Sequence, residues 1–154
     1  MAEKPSRARF SYGFEMYRYL YLSDVSPEFE PYQMGLLAQR ARKKNEGLAI
    51  TGLLLFDGLY FCQYLEGPKG DVLQLMRVIE RDSRHRNLRR LGEGLSTRPR
   101  RLPNNGLFVG YSTDATFLPG VVATASGMNE AVERIWNALP QLDVEQSADW
   151  NKRE

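Results

Sequence analysis

Asn45-Glu46-Gly47-Leu48-Ala49-Ile50-Thr51-Gly52-Leu53-Leu54-Leu55-Phe56-Asp57-Gly58-Leu59-Tyr60-Phe61-Cys62-Gln63-Tyr64-Leu65-Glu66-Gly67 decides the reading of this chain. Two apolar runs, Ile50–Phe56 and Leu59–Leu65, flank Asp57-Gly58, a dipeptide that tight hairpin turns favour. The second run holds one carboxamide, Gln63, among aromatic and aliphatic neighbours. Such a group costs roughly 1–3 kcal/mol if buried without partners. A polar partner is therefore expected opposite it, read here as a bound ligand together with a tyrosine on the neighbouring strand.

Strand parity places Phe61, Gln63 and Leu65 on one face and Tyr60, Cys62 and Tyr64 on the other. Both faces are apolar, so both need cover. Two crossover helices account for one. A terminal helix or a second copy of the chain accounts for the other, which leads to the expectation of a homo-oligomer, a dimer or a larger ring.

Working outward, Met16–Ser23 is rich in aromatic and aliphatic residues and reads as a strand. Met34, Leu37, Ala38 and Ala41 recur at helical spacing within a helix expected from Pro31 to Lys44, with Asn45 and Gly47 just past its end. A second helix is expected from Gly70 to Asp82 on Val72, Leu75, Met76 and Ile79. Weaker signals give a strand at Leu88–Leu95, a loop at Arg98–Asn105, a strand at Leu107–Tyr111 and a last helix near Met128–Leu139. The order is that of an α+β, ferredoxin-like βαββαββ sandwich: a five-stranded mixed sheet, two helices on one face and a C-terminal helical extension. Three segments follow: an N-terminal arm (1–15), a folded domain (16–111) and a helical cap for oligomerisation or output (112–154).

Composition excludes several classes. The 154 residues suit one domain, and the 42% hydrophobic and 26% charged fractions are ordinary for a globular protein. A net charge of +2 does not by itself call for nucleic acid or a membrane. One cysteine rules out an internal disulfide and multi-cysteine metal sites. No apolar run approaches the ~20 residues of a membrane helix, and no signal-peptide core is present, so a cytoplasmic location is expected. Residues 77–101 carry nine arginines against three acids. They read as a solvated surface with some phosphate-neutralising role, since aromatics for base stacking and RNP-like motifs are missing.

Five stretches, in this order, resemble the BLUF domains, flavin-binding sensors of blue light. They are Tyr21-Leu22-Ser23; Ala41-Arg42-Lys43-Lys44-Asn45; Ile50-Thr51-Gly52-Leu53-Leu54; Gln63-Tyr64-Leu65-Glu66-Gly67; and Arg81-Asp82-Ser83-Arg84-His85. The resemblance covers about residues 16–111 and implies a non-enzymatic photoreceptor with FAD between the two helices, FMN or riboflavin remaining open. It implies Tyr21 as light-driven electron and proton donor, Gln63 between that phenol and the flavin, and Asn45 on the ring's polar edge. Asp82, Arg84 and His85 would meet its other polar edge and the ribityl chain, with Leu37 and Ile79 as apolar walls. A carboxamide both donates and accepts, so rotation or tautomerisation rewires it without moving charge. Cys62, on the opposite face from Gln63, reads as core rather than as an adduct-forming thiol.

About 43 residues follow position 111, too few for a cyclase or phosphodiesterase domain. Output is therefore expected through a separate downstream protein, by way of the terminal helix, the fifth strand or a change in assembly. The family's usual Trp-x-Met pair on that strand is missing: the corresponding positions are Asn105 and Leu107, or Leu107 and Val109, depending on the alignment. An intact photocycle with altered dark recovery or output is the expectation. A non-photochemical flavin-binding or ferredoxin-like adaptor is the alternative. A small hydrolase fits less well, because the first strand is followed by Asp24-Val25-Ser26-Pro27 rather than a phosphate-cradling glycine loop.

Overall fold

The computed structural model describes residues 16–102 and 106–145. The elements run β1 (Met16–Val25), a 3-10 turn (Pro31–Gln33), α1 (Met34–Gly47), β2 (Thr51–Phe56), β3 (Tyr60–Gly67), α2 (Lys69–Glu80), β4 (His85–Ser96) and β5 (Leu107–Tyr111). After these come a π-helical turn (Phe117–Val122), α3 (Met128–Ala138), a 3-10 turn (Leu139–Gln141) and β6 (Asp143–Glu145). The sheet is mixed and follows the order β4-β1-β3-β2-β5-β6. Among the described residues only the β2–β5 pair is parallel.

The α+β sandwich expected from the sequence is present, with one correction: the sheet has six strands, not five. The extra strand is Asp143–Glu145, which pairs antiparallel with β5 through Val109↔Glu145 and Tyr111↔Asp143. Three residues carry no readable hydrophobic alternation, so this strand exists because β5 offers it an open edge. The strand expected to be weak, β4, is one of the two longest, at 12 residues; β1 has 10.

Parity holds as read. One face of the sheet carries Tyr17, Tyr19, Tyr21, Phe61 and Leu65, packed with Val72, Leu75 and Met76 of α2 and Met34 and Ala38 of α1. The other carries Leu20, Leu22, Leu53, Leu55, Cys62 and Tyr64 beneath Ala131, Val132 and Ile135 of α3. The terminal helix thus covers the second face, with Phe117, Leu118 and Val122 of the π-helical turn. No second copy is needed to bury that face, so it no longer argues for an oligomer. At Gly92 the helix lies so close that an added β-carbon would stand 2.3 Å from Met128 Cβ.

Six of the nine arginines, at 77, 81, 86, 89, 90 and 98, are exposed as expected, while Arg84, Arg100 and Arg101 are partly buried and bonded within the fold. Arg100 bonds the Ala49 and Glu66 carbonyls and the Thr51 hydroxyl, holding Ala49 in the left-handed region at φ 58°. Arg101 pairs with Glu133 and lies over the Trp136 ring, its guanidinium carbon 4.7 Å from the centroid. Arg84, Arg89 and Arg90 are paired to Asp82, Asp24 and Glu93. Among the described residues no helix is long and apolar enough to cross a membrane. The 1–15 arm, Asn105 and the last part of the 112–154 segment lie outside the described residues.

Candidate functional site

Tyr21 and Gln63 are directly opposed across the antiparallel β1–β3 pair, so their side chains emerge on the same face. The phenol donates to Gln63 Oε1 over 2.7 Å. Both residues are buried, at 3% and 5% exposure. Burial pushes the Tyr21 phenol well above its ordinary range, so it stays protonated, with smaller contributions in the same direction from Cys62 and Asp82. The amide nitrogen of Gln63 meets no acceptor among the described residues, although Gln63 lines a cavity. A donor that faces a largely apolar cavity in this way offers a bound ligand a hydrogen bond.

Asn45 reaches the same cavity from α1. The helix runs to Gly47, so Asn45 stands inside its last turn rather than just past its end. Two local bonds and one tertiary bond account for the difference. Its main-chain carbonyl accepts the Leu48 and Ile50 amides, and its side-chain Nδ2 donates to the Gly106 carbonyl over 3.0 Å. The side chain is thus drawn to the residue just before β5 instead of turning back on its own backbone as helix-ending asparagines do. Gly106 is at φ 91°, and an added β-carbon would lie 2.8 Å from the Arg42 carbonyl, so only glycine fits.

The segment after α2 closes the far side. Arg84 donates to Asp82 through its main-chain amide and its guanidinium. These bonds hold the Asp82 carboxyl below the usual carboxylate range and push the Arg84 guanidinium up. His85 Nε2 lies 2.7 Å from the Ile79 carbonyl, which can only accept, so this nitrogen carries the proton. Nδ1 then accepts from the Ser23 hydroxyl at 2.6 Å. Both imidazole nitrogens are engaged by protein, and His85 meets the cavity with its ring, 5.9 Å from that of Tyr21.

All eight residues singled out from the sequence line one cavity of about 270 Å³: Tyr21, Leu37, Asn45, Gln63, Ile79, Asp82, Arg84 and His85. Sequence reading missed the remaining walls. Leu54 and Phe61 come from the hairpin, Leu75 and Val78 from α2, and Arg40, Ala41 and Lys44 from α1. The two cations had a signal, standing three and seven residues after Leu37 on the same helical face. The site offers apolar walls, an unpartnered carboxamide N–H and cations at its rim. Those features fit a planar heteroaromatic with a polar edge and a charged tail.

The match to known proteins agrees with that geometry. Residues 16–105 match the family model described as sensors of blue light using FAD. The chain belongs to the BLUF family. Among BLUF relatives, the blue light- and temperature-regulated antirepressor BluF of Escherichia coli (strain K12) is 33% identical over 69 residues, 45% of this chain and 17% of that protein. BlrP1 of Klebsiella pneumoniae, solved with FMN and cyclic diGMP, superposes with a TM-score of 0.62 at 32% identity, covering 80% of this chain and 34% of that one. The dark-state structure of BlrB, a BLUF protein, gives 0.69 at 25% identity, covering 84% of this chain and 98% of that one. The chain therefore spans only a minor part of BluF and BlrP1 but nearly all of BlrB. BLUF domains are sensors that use a flavin, and this chain has their fold.

Proposed function

We propose that this chain is a cytoplasmic blue-light sensor whose switch is the Tyr21–Gln63 pair and whose light state is read by a separate effector protein. The observation that carries this is the buried 2.7 Å phenol–carboxamide bond beside a cavity that Gln63 also lines. A flavin bound there supplies blue-light absorption and an excited state able to take up an electron. Tyr21 holds its proton on Oη in the dark, since burial keeps the phenol neutral. Loss of an electron makes a phenol strongly acidic, and the hydrogen bond gives that proton a path to Gln63 Oε1. Gln63 can then turn or tautomerise, exchanging acceptor for donor toward Tyr21.

Other residues bind and orient. Asn45, fixed through Nδ2 to Gly106, keeps Oδ1 to accept from a ring N–H. Leu37 and Ile79, which line the cavity, would wall a ring held there. Arg40 and Lys44, exposed and without ion pairs among the described residues, suit the phosphates of FAD. Asp82, Arg84 and His85 act chiefly as a braced wall, because their polar atoms largely bond one another and the backbone.

In this reading residues 16–111 sense and 112–154 relay. Gln63 is opposed by Leu54 on β2, Leu54 by Val109 on β5, and Val109 by Glu145 on β6. That single row links the switch to the C-terminal segment, and any catalysis belongs to the effector. The test is spectroscopic. Blue illumination should shift the visible band of the purified flavoprotein reversibly to the red, and Tyr21→Phe or Gln63→Leu should keep the flavin but lose the shift. An unchanged shift in either variant overturns the assignment.

A further inference from the structure

On the face of the sheet away from Tyr21 and Gln63, a second cavity of about 760 Å³ opens between the start of β1, the end of β4 and the first turns of α3. Arg18 lines it, flanked across the strands by Glu66 and Gly94. Its Nη2 donates to Asn129 Oδ1 at 3.1 Å, while the buried Nε has no hydrogen-bond partner among the described residues. A buried guanidinium N–H of this kind calls for an acceptor.

The acids of the cavity do not supply one. Glu66 already takes four donors: the Thr51 and Tyr64 hydroxyls and the amides of Arg101 and Leu102. Glu133 is held by Arg101. Arg98, exposed at the rim, forms no ion pair among the described residues. Arg18 and Arg98 thus form no ion pair among the described residues, beside Asn129 in the first turn of α3, where a helix end favours negative charge. Arg18, Arg98, Arg100 and Arg101 outnumber Glu66 and Glu133 in the lining. A β-carbon built on Gly94 meets nothing within 4 Å, so the space beside Arg18 is open. The volume lies within the ~300–1,000 Å³ of small-molecule sites, and Met16 and Val132 add apolar wall.

We propose that this cavity binds a small organic phosphate of about nucleotide size, its phosphate accepting from the outer guanidinium nitrogens of Arg18, which lines the cavity, and from Arg98. The guanidinium fork matches a phosphate's paired oxygens. Because Arg18 is on β1 and Asn129 on α3, such an occupant ties the covering helix to the strand that carries Tyr21.

The experiment is isothermal titration of the full chain saturated with FAD, so that the cavity between α1 and α2 is filled. The probes are adenosine 5′-monophosphate and inorganic pyrophosphate, with uncharged adenosine as control. Both phosphates should bind and adenosine should not. Arg18→Gln and Gly94→Leu should each weaken the phosphates at least about tenfold, with the visible flavin band unchanged. No binding of either phosphate, adenosine binding as tightly as its monophosphate, or parental affinity in both variants overturns the proposal. If Arg18→Gln does not fold, Gly94→Leu decides alone.

Discussion

The Tyr21 phenol and the Gln63 carboxamide meet across β1 and β3 at 2.7 Å, in a pocket of protein from which solvent is nearly excluded. The bond serves the light response more than the fold. Tyr21→Phe removes one neutral hydrogen bond, worth about 0.5–1.5 kcal/mol. Urea unfolding of the apoprotein should show a loss of that order, with the light-induced shift gone completely. A loss of several kcal/mol would mean that the pair is chiefly a stabilising element.

Asn45 and Gly106 form the corresponding relationship at the other end of the cavity. Asn45→Ala leaves the Gly106 carbonyl with its bond from the Gly52 amide, so it is not orphaned. The expected loss of stability is about 1 kcal/mol, accompanied by weaker flavin retention on gel filtration. Gly106→Ala combines a left-handed backbone with a 2.8 Å contact to the Arg42 carbonyl. It should cost more, about 1–3 kcal/mol, read from the urea midpoint.

Acid should loosen the wall formed by Asp82 and Arg84. Hydrogen bonds from Arg84 lower the folded Asp82 pKa below its ordinary 3.8. The unfolded chain therefore binds the proton first. The stabilisation is whole above 3.8 and is lost as pH falls through the lower folded value. Both side chains are partly exposed, at 25% and 40%, so the effect is small and screened by salt. Stability measured against pH should fall less steeply below 3.8 in Asp82→Asn than in the parent.

In the proposed reading the fifth strand sets how long the light state lasts. Leu107 and Val109 are fully buried on the face that carries Gln63, and Val109 lies in its row beyond Leu54. Val109→Met should preserve the red shift and change the rate of dark return. Leu107→Trp, by contrast, forces a larger ring into a filled site and should cost about 1–3 kcal/mol. Parental dark-return kinetics in Val109→Met would remove this strand from the relay.

Much of the site was legible because its signals are local or strictly periodic. A period of two sets Gln63 and Tyr64 on opposite faces, Asp57-Gly58 pins the hairpin register, and helical spacing puts Leu37 and Asn45 on one side of α1. A lone amide in an apolar strand announced that it needed a partner.

Other features depend on groups far apart in the chain. Asn45 and Gly106 are separated by 61 positions, and Arg100 and Ala49 by 51. No local pattern foretells that Asn45, inside the last turn of α1, bonds the residue that leads into β5, or that an arginine in a basic run clamps an alanine in the left-handed region. The engagement of both His85 nitrogens needs Ser23 and Ile79 at once, which only packing of β1 against the end of α2 provides.

The sixth strand and the closure of the far face by α3 are of the same kind. Residue order alone determined which side chains share a face, since that follows from backbone geometry. Tertiary structure decided which of them found partners inside the protein and which were left facing a cavity, since hydrogen bonding and burial are settled only when distant segments meet.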